Sequence, residues 1–307
     1  MKHPLYETLG LIFLLLLLAS AIGFALRLAK GRDNDTVRNL NERIASWWII
    51  IAVVGLALIC GTYTTIILFM LCAFLAFREF ITLTPTRPAD YWPLLMAFYV
   101  ALPGQFLLLA YGWYGMFAIF IPVYMVFVLA AAGAFGADTE AFLERAGKLQ
   151  WAVMVCIYGL SYAPALLLLR IPGHSSAALL LFLLVVVQAS DVFQYVFGKL
   201  FGRTKLAPRV SPSKTVEGLL GGGASAILIG MALHGLTPFT WWQAAPMGLA
   251  IVVGGFVGGL VLSAVKRSLG AKDWGTMLAG HGGMLDRMDS VCFAAPLFFH
   301  LTRYFYT

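Results

Sequence analysis

The sequence predicts an all-α fold, a polytopic membrane helix bundle of about nine to ten transmembrane helices. Three observations lead there. Hydrophobic residues make up 61% of the 307 and charged residues only 11%, where a soluble domain carries about a quarter charged. Mean hydropathy is +0.88, so more apolar surface exists than a soluble core can hide, and the surplus must face lipid. Finally, ten apolar stretches can be drawn, and the basic residues fall almost entirely into alternate loops between them, the pattern of a membrane protein with one cationic face.

The first stretch, 5–27, is read as a retained spanning helix. Ala-Leu-Arg-Leu-Ala-Lys follows its apolar run without a small-residue cleavage site, which argues against a signal peptide. Spans at 46–60 and 63–77 are short, and Gly61-Thr62-Tyr63 between them reads as a turn or kink. Pro85, Pro88 and Pro93 mark a loop and the start of the fourth span, 92–111. Spans at 113–134, 150–169, 176–198, 215–235 and 241–265 follow, and 289–306 is a tenth that holds His300 and Arg303 and is expected to cross at least partly. We divide the chain into N-terminal transmembrane helices, 1–175, and C-terminal transmembrane helices, 176–307, that carry the polar chemistry within one membrane domain. No internal repeat is visible. Cys60, Cys72, Cys156 and Cys292 lie in apolar runs with no metal-ligand spacing, so they read as free buried thiols.

Eighteen of the 21 basic residues fall in the loops after spans one, three, five, seven and nine; Lys2, Arg170 and Arg303 are the exceptions. The positive-inside rule makes those loops cytoplasmic and puts both termini on the other side. The net charge of +7 then reflects orientation and attraction to anionic membrane lipid rather than a nucleic-acid partner. The expected setting is a bacterial inner membrane, with the active site facing the cytoplasm; a homodimer is compatible with this pattern.

Most of the 14 acidic residues lie in loops, but Asp191 sits inside the apolar run 180–197. A carboxylate at that depth costs at least ~2.5 kcal/mol. Gln188, Asp191 and Gln194 share a helix face by their spacing of three, which must line protein or water. A neutral residue would make a structural contact more cheaply, so we read Asp191 as a metal or substrate ligand. In the stretch 198–218, Ser211-Pro212 looks like an N-cap followed by proline at the first helical position, which puts Lys214 in the first turn. A cation there opposes the helix dipole unless an anion binds. In 263–290, Asp286 and Asp289 are three apart and suit a hard divalent ion such as Mg²⁺. Lys266, Arg267 and Lys272 can hold anionic oxygens, and Gly280, Gly282 and Gly283 allow backbone to approach a phosphate.

Ser263-x-x-Lys-Arg, four residues, Lys272-Asp-x-Gly, then His281-Gly-Gly-x-x-Asp-Arg-x-Asp-Ser resembles the signature of the phosphatidate cytidylyltransferases. Asp191, Gly198-Lys199, Leu206-Ala-Pro and Ser211-Pro-x-Lys-Thr-x-Glu-Gly are also similar to that family. The resemblance covers about 186–305. It implies a membrane helix bundle that joins CTP and phosphatidic acid to give CDP-diacylglycerol and pyrophosphate with Mg²⁺. It implies catalytic roles for Lys266, Arg267, Lys272, Asp273, His281, Asp286, Arg287 and Asp289. It implies substrate contacts from Ser211, Lys214, Thr215, Glu217, Ser263, Gly282 and Gly283, and a metal held by Asp286 and Asp289 with Asp191. His281 is read either as orienting a phosphate or shuttling a proton, or as hydrogen-bonding within a glycine turn.

Three positions depart from the family pattern. Gly259 stands where the family commonly has a metal-site Asp, Leu262 where Glu is frequent, and Ala279 where Pro is usual. Two other readings follow. One is a family member of altered specificity, or one that binds CTP or lipid with little catalysis. The other is an ion-coupled transporter using Asp191, which the clustering of polar residues in one half of the chain disfavours.

Overall fold

The structure, a computed structural model, describes residues 4–30, 35–275 and 282–307. Ten helices run in the order α1 Pro4–Lys30, α2 Asp35–Cys60, α3 Thr62–Leu83, α4 Pro88–Ala110, α5 Tyr114–Ala134, α6 Phe142–Leu168, α7 Ser176–Leu200, α8 Val216–Ala232, α9 Ala244–Ser268 and α10 Leu285–Tyr306. Seven are long and apolar enough to cross a membrane, while α8 and the apolar part of α2, Ile44–Cys60, are shorter. The protein is an all-α polytopic membrane bundle, and the ten predicted segments correspond to the ten helices of the described residues.

Two helices extend beyond the apolar segments that the sequence predicts. Helix α2 starts at Asp35 and α3 runs on to Leu83, because a helix whose backbone bonds are satisfied internally continues past the apolar run into the interface. The break between them is Gly61 at φ 107, a left-handed conformation that glycine adopts without a Cβ clash. Thr65 Oγ1 donates to Ala57 O (3.0 Å), which also accepts from Gly61 N (3.1 Å), and so ties the first turn of α3 to the end of α2.

Between α7 and α8 lies a short antiparallel hairpin, β1 Lys205–Ala207 and β2 Ser211–Thr215, with Lys205 opposite Thr215 and Ala207 opposite Ser211. This corrects the Ser211-Pro212 helix start. Those residues are strand, and the N-cap is Thr215, whose Oγ1 accepts from Gly218 N (3.0 Å). Pro212 fits the strand because it lies in a two-stranded hairpin, where few ladder bonds are required of its missing N–H.

The core is aromatic: Phe77, Phe106, Phe117, Tyr162, Phe182 and Phe298 are fully buried. Apolar side chains such as Leu14, Leu56, Phe127 and Leu228 point outward, as a lipid-facing surface requires. Close helix approach depends on small residues, the usual device where lipid supplies no hydrophobic drive between helices. Helix α8 crosses α7 at Gly222, where a Cβ would collide with the Gln194 backbone. Helix α9 meets α10 at Gly258, where a Cβ would come within 2.5 Å of Asp289 O. These two crossings draw α7, α9 and the start of α10 around one point.

Candidate active site

That point lies beside Gly259. A Cβ built there would be 2.9 Å from Lys214 Nζ, 3.6 Å from Ser290 Oγ and 3.7 Å from Asp289 Oδ2. Ser290 Oγ donates to Asp191 Oδ1 (3.2 Å) and Ser290 N donates to Asp289 Oδ1 (2.7 Å). Helix α7 thus supplies Asp191, α10 supplies Asp289 and Ser290, β2 supplies Lys214, and α9 supplies the glycine that leaves room among them. Lys214 is held over the Phe256 ring, 4.8 Å from its centroid. Burial pushes its ammonium below its usual pKa range, against the pull of Asp289 and Asp191.

Asp286 does different work. Its Oδ1 accepts from Lys266 Nζ (2.6 Å), and its Oδ2 accepts from Trp274 N (2.8 Å) and Gly283 N (2.9 Å). The carboxylate therefore ties the end of α9 and both sides of the α9–α10 loop to the first turn of α10, a charge-assisted arrangement. Gly282, at φ 75, has its α-carbon beside this carboxylate, since a Cβ there would lie 2.7 Å from Asp286 Oδ2.

Glu79 is a residue the sequence reading missed. From α3 its Oε1 accepts from Met284 N (2.8 Å) and its Oε2 from Leu285 N (2.9 Å). It thereby satisfies two of the free N–H groups at the start of α10 and places negative charge at the positive end of the dipole. A Cβ on Gly283 would collide with this carboxylate, and one on Gly275 would lie 2.9 Å from Glu79 Oε1. Next to it, Phe80 stacks on buried Trp274 with centroids 4.9 Å apart. Consecutive residues of α3 hold the two ends of the motif loop. The available signal was an acid in an otherwise apolar run, Ala-Phe-Arg-Glu-Phe, which the drawing of the third span ended before.

The other predicted residues divide as follows. Ser263 Oγ donates to Gly259 O (2.6 Å), and Glu217 accepts from Arg203 N (3.0 Å) and Thr204 N (3.1 Å), clamping the loop before β1. Arg267 Nε donates to Val210 O (3.3 Å), which fastens α9 to the hairpin. Thr215 is buried as the α8 cap, and Ser211 is partly buried at the start of β2. Lys272 and Asp273 are exposed on the loop, and Arg287 is half-buried on the first turn of α10. His281 and Gly280 lie outside the described residues.

Mg²⁺ is implied by the motif, and the donor set can be tested for it. Among the described residues no three of His, Cys, Asp and Glu converge as a ready-made metal site. Asp191 Oδ2 and Asp289 Oδ2 nevertheless accept no hydrogen bond among the described residues. Two carboxylate oxygens beside an ammonium fit an ion that takes one or two protein carboxylates and completes its shell with water and substrate phosphate.

Comparison with known proteins agrees with this geometry. The family model described as "Cytidylyltransferase family" matches residues 41–305. The chain is 37% identical over 305 residues to "Uncharacterized protein YnbB" of Escherichia coli (strain K12), covering 98% of this chain and 99% of that protein. It is 39% identical over 120 residues to a phosphatidate cytidylyltransferase of Staphylococcus aureus (strain COL), covering 38% of this chain and 46% of that one. A phosphatidate cytidylyltransferase of Brucella abortus biovar 1 (strain 9-941) is 37% identical over 150 residues, 48% of this chain and 56% of its own. The helix bundle and its cluster of carboxylates and amines are those of a membrane nucleotidyltransferase. The chain belongs to the cytidylyltransferase family, and its resemblance to the phosphatidate cytidylyltransferases is borne out.

Proposed function

We propose that this protein transfers a cytidylyl group from CTP to phosphatidic acid, giving CDP-diacylglycerol and pyrophosphate in phospholipid biosynthesis. The observation that supports this most is the convergence of Asp191, Asp289, Ser290 and Lys214 on one point between α7, α9 and α10. In this reading a phosphate oxygen of phosphatidic acid attacks the α-phosphorus of CTP, the bond to the β-phosphate oxygen breaks, and pyrophosphate leaves. Such transfer depends on positioning and charge stabilisation. Lys214 and Lys266 hold phosphate oxygens, Lys266 by turning from Asp286, with Arg267, Lys272 and Arg287 near the same face. Asp191 and Asp289 would hold Mg²⁺, and Asp286 would contribute only if its pairing with Lys266 were released. The bound ion would offset the charge of the triphosphate and polarise the reacting phosphoryl group. We place the site on the cytoplasmic face of a bacterial inner membrane, where CTP is available.

Gly259 gives a second reading, a relative that binds CTP or a lipid phosphate with little turnover. The site keeps its cations but holds one carboxylate fewer than the family pattern. A turnover assay with labelled CTP and phosphatidic acid, on the native chain and on Gly259→Asp, separates the two. The new carboxylate would project toward Lys214, whose flexible end can shift to pair with it. We expect low but measurable turnover in the native chain, raised about tenfold or more by the substitution, with a lower Mg²⁺ concentration at half-maximal rate. No turnover in either protein, with CTP binding retained, would favour the second reading.

A further inference from the structure

The opposite end of the bundle holds a cavity that the transfer reaction does not use. It has a volume of about 690 Å³ and lies between the α4–α5 turn, the α6–α7 link and the last turns of α10. This is the size range of small-molecule sites. Helix α10 spans 22 residues from Asp286's turn to this end, roughly 33 Å at the helical rise, so the cavity and the carboxylate cluster are about a membrane thickness apart.

Its lining is mixed: Leu109, Phe117, Leu168 and Phe299 give it apolar walls, and Arg170 and Arg303 both face it. Only three basic residues of this chain fall outside the cationic loops, and two of them meet here. No Asp or Glu lines the cavity, and among the described residues neither guanidinium has a carboxylate partner. Arg303 lies over the Tyr114 ring, with its Cζ 3.6 Å from the ring centroid. A cation–π contact uses none of the guanidinium N–H donors, which can still bind an anion. Tyr111, Trp113, Tyr304 and Phe305 are well exposed around this end of the bundle, as aromatic residues are at the level of lipid headgroups.

We propose that this cavity binds the phosphate of an anionic glycerophospholipid from the membrane leaflet opposite the carboxylate cluster. Arg170 and Arg303 take the phosphate oxygens, and the apolar walls take the glycerol and the first part of the acyl chains. A soluble anion would gain nothing from those walls or from the aromatic rim, which is why a lipid is the ligand.

The test is native mass spectrometry of the purified full chain in detergent, titrated with dioleoyl-phosphatidylglycerol or dioleoyl-phosphatidylcholine. The native protein should retain one phosphatidylglycerol at least tenfold more tightly than Arg170→Gln/Arg303→Gln does, and should prefer it to phosphatidylcholine. Arg78→Gln, an exposed arginine on α3, should bind like the native protein. Should the double variant not fold, Arg170→Gln alone, at an exposed link residue, carries the test with a loss of about threefold. Equal retention of both lipids, or no loss in the variants, overturns the proposal. Displacement of phosphatidylglycerol by millimolar inorganic phosphate would also overturn it, since the site would then be one for a free anion.

Discussion

Glu79 and Asp191 are carboxylates in long helices with opposite duties. Glu79 accepts two backbone N–H bonds at the start of α10, so its value lies in holding Asp286 and Asp289 in place. Replacing it with Gln turns one acceptor into an NH₂ donor facing a backbone N–H. We expect Glu79→Gln to lose roughly 1–3 kcal/mol, the cost of an unsatisfied buried donor, read as a lower melting temperature in detergent. Turnover should fall with it, and Glu79→Asp should not rescue either, since a shorter side chain cannot reach both N–H groups. Asp191→Asn is the contrasting case. Asn keeps the acceptor for Ser290 Oγ and the side-chain size but removes the charge. Melting should be nearly unchanged while turnover falls by two orders of magnitude or more, as expected of a ligand rather than a contact. Near-normal turnover in Asp191→Asn would make it a structural residue.

At the scale of elements, the site is made by helix crossings, and the crossings by glycines. Gly258→Ala would force α9 and α10 apart where Asp289 O already lies 2.5 Å from the new Cβ. Overpacking of this kind costs about 1–3 kcal/mol, and here it also displaces Asp289. Gly147 in α6 has nothing within 4 Å of its Cβ position, so Gly147→Ala should raise stability by about 0.5–1 kcal/mol through helix propensity alone. Thermal unfolding of both variants checks the pair, and a neutral Gly258→Ala would mean that α9 and α10 are not in backbone contact. The same comparison explains what could be read from sequence. The α9–α10 motif was legible because its residues are contiguous and its spacing fixed. Glu79 was not, because it reaches the motif from more than two hundred residues away. The Ser211-Pro212 strand was misread because a Ser-Pro pair serves a helix start and a strand edge equally well, and only pairing with Lys205–Ala207 decides between them.

Across the whole molecule, two ends differ in charge. Around the carboxylate cluster lie the hairpin, the α9–α10 loop and the loops before α4 and α6. There Arg145 pairs with Asp138 (2.8 Å) and Asp90 (3.4 Å), and Arg87 pairs with Glu140 (2.6 Å). The far end carries Arg170 and Arg303 with exposed Trp241, Trp242 and Tyr304. Arg267 Nε bonded to Val210 O already puts the hairpin and the α9–α10 loop on one side of the bundle, so a single orientation must serve both. The basic asymmetry predicts that this side is cytoplasmic. Single cysteines at Arg203 and Gly270 should therefore react with a membrane-impermeant maleimide only after the membrane is opened, and one at Gly173 should react before it is. The native thiols set the background, because Cys156 and Cys292 are buried while Cys60 is exposed on an apolar helix end and must be replaced first. Labelling of Gly173→Cys and Arg203→Cys from the same side would contradict the bundle itself. Reversal of all three would keep the fold but put the carboxylate cluster where CTP is absent, and that would remove the physical basis for the transfer reaction.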